Sequence, residues 1–88
     1  MYKVKLICGG VPEDVGAQAA IDITEEFTHR PWHTTAVCSW TGSSLVLEVE
    51  NDFDDNGLAT RDEFSDAISA CMAEGFDGDL KVESITEV

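Results

Sequence analysis

The stretch DFDDNGLATRDE, residues 52 to 63, carries oxygen-bearing side chains at the intervals that a calcium loop uses. Asp52, Asp54 and Asn56 would offer side-chain oxygens, Leu58 its carbonyl and Glu63 a bidentate carboxylate. Gly57 would permit the sharp turn between them. An EF-hand has a helix on each side of such a loop, whereas the run ahead of this one, SLVLEVE, alternates like a strand. The same letters also have a purely structural account. Thr60 and Glu63 are spaced as a capping box for a following helix, and Asp55-Asn56-Gly57 is ordinary turn chemistry. On that account the chain needs no cofactor. Calcium held by Asp52, Asp54, Asn56, Leu58 and Glu63 is the alternative.

Other reactive types are sparse. Cys8, Cys38 and Cys71 are an odd set with wide spacing and no C-x-x-C, which argues for reduced thiols rather than disulfides or a structural zinc site. Cys8 precedes Gly9-Gly10 and a helix start, where a thiolate would be stabilised. A thiol-dependent enzyme is therefore the rival function class. No residue is spaced to serve as its base, and no Ser-His-Asp set or phosphate loop is present. The chain reads as non-enzymatic. His29 and His33 lie four apart with Cys38 nearby, but Pro31 keeps the two histidines off one helical face, and the spacing is not that of a metal site.

The elements that would position these groups follow from periodicity. Residues 2 to 8, YKVKLIC, alternate, with Tyr2, Val4, Leu6 and Cys8 on one face and Lys3, Lys5 and Ile7 on the other. A helix follows Pro12, with Glu13 and Asp14 in its first turn and a stripe of Val15, Ala19, Ala20, Ile23 and Phe27. It stops before Pro31. HTTAVCSW and SLVLEVE form a hairpin around Gly42. On the second of these strands Leu45, Leu47 and Val49 face inward while Val46, Glu48 and Glu50 face outward. Trp32 and Trp40 flank the first of the two as covers for the core edge. The second helix has the stripe Phe64, Ala67, Ile68, Cys71 and Met72. Gly75 ends it, with Phe76 packing back on the last turn. LKVESITEV, residues 80 to 88, is a last strand.

The order β-α-β-β-α-β over residues 1 to 88 predicts a single α+β domain of ferredoxin-like type, with an antiparallel sheet and both helices on one face. All the lysines (Lys3, Lys5 and Lys81) fall on outward positions of the first and last strands. In the expected strand order 4-1-3-2, Lys3 and Lys5 face Glu48, Glu50 and Glu83 across neighbouring strands, where opposite charges support pairing. Proteins of this shape differ in their sites. The first loop, CGGVPE, lacks both the C-x-x-C of metallochaperones and the arginine of acylphosphatase-like loops. The outward positions of strands one and three lack the aromatics of RNA-recognition domains. Fold alone assigns no function here.

Charge narrows the partners. Eighteen acids against five bases give a net charge of −13. Such a field repels nucleic acid and anionic lipid and favours basic proteins. No apolar run reaches the about 20 residues of a membrane span, and Gly-Gly and Pro interrupt the start as they would not in a signal peptide. A cytoplasmic location is expected. Glu48, Glu50, Asp52, Asp54, Asp55, Asp62, Glu63 and Asp66 crowd residues 48 to 66, where Arg61 is the only base. With Ile7, Val46 and Ile85, and with Val37 beside them, on the sheet face away from the helices, the expected role is an interaction module. The residues that would bind are Glu48, Glu50, Asp55, Asp62, Asp66, Ile7, Val46 and Ile85. The partner would be a basic protein or a second copy in a homodimer.

Overall fold

The computed structural model describes residues 1–71 and 79–88. The elements are β1 (Tyr2–Gly9), α1 (Glu13–Phe27), β2 (Thr35–Trp40), β3 (Ser44–Asn51), α2 (Leu58–Cys71) and β4 (Asp79–Glu87). The strands form one antiparallel sheet in the order β2-β3-β1-β4, the ferredoxin-like arrangement that the element order predicts. The expected helix end at Met72, Gly75 and Phe76 lies outside the described residues.

Alternation decides which side of the sheet is buried. Val4, Leu6 and Cys8 on β1 and Leu45, Leu47 and Val49 on β3 meet Ala19, Ala20, Ile23 and Phe27 of α1 and Phe64, Ala67 and Ile68 of α2 in one core. Val15 is a correction to the α1 stripe: it is exposed, and the buried row begins at Gly16 instead. The reason is Trp40, whose indole lies against Gly16 so closely that an added Cβ would sit 2.5 Å from its ring atoms. A glycine inside a helix costs about 1 kcal/mol relative to alanine, and here it admits a ring that no larger residue would.

Ile85 is the second correction. It is not on the open face. The pairing of β1 with β4 shifts between Lys5 and Leu6, a β-bulge, so that Ile85 stands opposite Val4 and packs against the core. Because side chains alternate with period two, one extra residue reverses every position beyond it. The environments are therefore opposite for two residues of similar chemistry. Ile85→Thr is expected to lower stability by about 1–2 kcal/mol, and Val37→Thr, with Val37 57% exposed, to stay within about 0.5 kcal/mol. Urea unfolding of the two variants measures the difference.

The edge strand β2 is held to α1 by Thr24, whose Oγ1 accepts the Cys38 N–H at 2.9 Å and donates to the Ala20 carbonyl at 2.8 Å. The other sheet face is left open by both helices. It carries Lys3, Lys5 and Ile7 beside Glu50, Glu48 and Val46, residue for residue across β1 and β3.

Candidate interaction surface

After α1 the chain turns sharply, with Arg30 N–H on the Phe27 carbonyl and His33 N–H on the Arg30 carbonyl. Arg30 also closes the helix end by donating from Nη1 to the Glu26 carbonyl at 3.1 Å. This turn delivers His33 into the protein, its side chain 1% exposed, and leaves Trp32 outside. His33 precedes β2 rather than belonging to it.

Asn51, the buried last residue of β3, fixes the histidine. Its Oδ1 accepts the N–H groups of Asp54 at 2.9 Å and Phe53 at 3.3 Å. The amide nitrogen Nδ2 must therefore be the atom 3.3 Å from His33 Nδ1. An amide nitrogen only donates, so Nδ1 accepts and the proton of the neutral ring is on Nε2. That Nε2–H donates to Glu63 Oε2 at 2.7 Å. The other oxygen of Glu63 accepts from Trp32 Nε1 at 2.7 Å, with Arg30 Nε at 3.6 Å. Three aromatic rings surround the imidazole: Phe27 at 5.5 Å and Trp32 and Phe53 each at 6.0 Å between centroids. Trp32 and Phe53 are 50% and 46% exposed. Two half-exposed aromatic rings thus stand next to one buried ring, Trp32 tied to the network by its indole and Phe53 by its backbone N–H.

The calcium reading of the loop meets a different geometry. Asp54 is buried, and its carboxylate accepts from the Thr60 N–H at 2.9 Å, the Thr60 hydroxyl and the Ala59 N–H. Asn56 accepts the Leu58 N–H at 3.0 Å. Glu63 is turned to Trp32, His33 and Arg30, while Asp52 and Leu58 are exposed. Among the described residues no three His, Cys, Asp or Glu side chains converge as a metal cage requires. The expected capping box is also corrected. α2 begins at Leu58, two residues before Thr60, so Thr60 is inside the first turn. Asp54 takes the acceptor role assigned to Thr60 because it sits in front of the free N–H groups of that turn. His29 is exposed and stands apart from the His33 network.

The acidic cluster divides. Glu48 lies 3.8 Å from Lys3 and 4.0 Å from Lys5, and Glu50 is in register with Lys3, so both belong to the open sheet face with Ile7 and Val46. Asp54 and Glu63 are turned inward. Asp52, Asp55, Asp62 and Asp66 stay exposed, on the loop that carries Phe53 and on the α2 turns next to Glu63.

Cys8 and Cys38 are core residues. Burial, with Asp79 adding to it, pushes the Cys8 thiol up to about 11. Burial pushes Cys38 up to about 12, with the other two cysteines contributing. Both are neutral thiols at neutral pH, the reverse of the shift that activates a nucleophile. Burial also raises Cys71, next to Asp22 and Glu26.

The His33–Glu63 and His33–Asn51 contacts join residues 30 and 18 apart, so no local pattern announces them. The visible hint is a lone histidine just after a proline turn, leading into a strand. No described helix is long and apolar enough to cross a membrane. Compared with known proteins, the chain matches no family model, no curated protein and no solved structure.

Proposed function

We propose that the protein is a non-enzymatic acidic interaction module that takes a basic protein partner at the end where Trp32 and Phe53 stand among carboxylates. The observation that carries this reading is the pair of half-exposed aromatic rings flanking buried His33. The network holds the Trp32 indole through Nε1 and Phe53 through its backbone N–H, so a partner meets rings on a positioned backbone. Lysine and arginine side chains are attracted to such faces, and aromatic anchors in a polar rim account for most of the energy of typical interfaces. Asp52, Asp55, Asp62 and Asp66 supply the rim. The net charge of −13 steers a cationic partner toward the protein, with an on-rate that falls as salt rises.

The test is binding of lysine- and arginine-rich peptides, followed by tryptophan fluorescence and calorimetry at low and high salt. Trp32→Ala and Phe53→Ala are each expected to weaken binding about tenfold. Asp62→Asn with Asp66→Asn should slow association with little effect on dissociation. Affinity that is indifferent to Trp32→Ala and Phe53→Ala, and follows charge alone, would refute the aromatic site.

A further inference from the structure

We propose that two copies of this chain pair through their open sheet faces, about a two-fold axis that runs parallel to the strands between β1 and β3. The proposal does not depend on the basic-partner reading, which concerns another part of the surface.

The argument comes from the register. Across β1 and β3, Lys3 is opposite Glu50, Lys5 opposite Glu48 and Ile7 opposite Val46. A two-fold between these strands lays β1 of one copy over β3 of the other at the same height. Lys3 then meets Glu50 of the other copy, Lys5 meets Glu48, and Ile7 meets Val46. Every contact occurs twice, as an isologous interface requires. The match is not adjusted by sliding one sheet on the other, because the cross-strand pairs already set the heights. A two-fold set over β1 alone would instead lay β1 on β1 and put lysine on lysine.

The charge of the rest of the molecule points the same way. All three lysines of the chain lie on this face, in a protein of net charge −13. Outside this face the only bases are Arg30 and Arg61, so most other pairs of surfaces bring acid against acid, which costs free energy on approach. Here Lys3, Lys5 and Lys81 nearly balance Glu48, Glu50, Glu83 and Asp79. Within one copy the ion pairs leave each partner 39–48% exposed, so their oxygens and protons have room for a second partner. Ile7, Val46 and the 57% exposed Val37 supply the apolar surface to be buried. Four strands about 4.8 Å apart and about eight residues long at about 3.3 Å each outline a face of roughly 500 Å². Side-chain relief raises the surface removed per copy toward the about 800 Å² of a standard interface.

Sedimentation equilibrium of the wild-type chain should show the mass rising from 9.6 kDa toward twice that with concentration. A chain bearing Lys3→Glu, Lys5→Glu, Glu48→Lys and Glu50→Lys together keeps opposite charges side by side on β1 and β3, losing only the exposed pair of Lys5 with Glu83. It should pair with itself within about threefold of the wild-type affinity but refuse the wild-type chain, because mixed pairs stack like on like. With one chain ¹⁵N-labelled, native mass spectrometry should find mixed dimers well under the about one half expected from random exchange. Independently of that variant's folding, carbodiimide cross-linking of mixed labelled and unlabelled wild-type protein should join Lys5 to Glu48 between copies. A wild-type chain that stays monomeric to millimolar concentration overturns the proposal. So does statistical mixing with the swapped chain, or a dimer without Lys5–Glu48 cross-links between copies.

Discussion

Asp54→Ala is expected to lower the unfolding free energy by about 2–4 kcal/mol, the cost of a lost helix cap plus charge-assisted hydrogen bonds. Asp54 is 3% exposed, and its two oxygens serve the Ala59 N–H, the Thr60 N–H and the Thr60 hydroxyl. Its own N–H is bonded to Asn51 Oδ1. Alanine would strand the two N–H groups and the hydroxyl of fully buried Thr60 at the start of α2. Asp54→Asn retains one acceptor oxygen and should cost about half as much, while Thr60→Val should cost about 1 kcal/mol. Equilibrium urea unfolding of the three variants gives the ranking. An Asp54→Ala variant within about 0.5 kcal/mol of wild type, the range of ordinary surface changes, would show that the carboxylate is not the cap.

Gly16→Ala is expected to destabilise by about 1–3 kcal/mol, the usual range for forcing extra volume into a packed site. Helix propensity by itself predicts a gain of about 1 kcal/mol for the same change, so the sign decides between the two effects. The added methyl would lie 2.5 Å from three atoms of the Trp40 ring, well inside contact distance. That ring has little room to retreat, because Trp40 also packs against the core. The contact should be visible as coupling. In a Trp40→Leu background the clash is gone, and Gly16→Ala should become neutral or stabilising by up to about 1 kcal/mol. A gain from Gly16→Ala in the wild-type chain would contradict the close approach of helix and ring.

Both predictions bear on what the letters alone disclose. The order of elements, the strand order and the placement of Lys3 and Lys5 beside Glu48 and Glu83 were legible, because period two and helical spacing are local and the charges follow from them. Leu6, Ile23, Phe27, Leu45, Leu47, Phe64 and Ile68 are core as their periodicity predicts. Ile85 was misplaced because a bulge adds one residue without leaving a mark on the alternation. Thr60 and Glu63 fit a capping box in sequence, yet each has a better partner brought by the fold. Asp54 reaches Thr60 from six residues back, and His33 and Trp32 reach Glu63 across about thirty. Gly16 is a legible anomaly, since a glycine within an apolar helical row asks for a packing reason, which Trp40 supplies. The exposed acids were legible as charge but not as a surface, because only the fold separates Glu48 and Glu50 from Asp62 and Asp66.

The treatment of the two outer strands has a consequence for how this protein can assemble. A sheet with two free margins is able to add strands from neighbouring molecules indefinitely, the route to fibrils and precipitates. One margin, β2, is only six residues long, and its Cys38 N–H is already committed to Thr24. The other, β4, bends at the bulge beside Lys5, so a straight strand arriving from outside loses its register partway along. Growth sideways is hindered at both ends by different means. Both features work against open-ended growth through the sheet margins, so a crowded solution of this chain is guarded against linear polymerisation by two local devices, one on each outer strand.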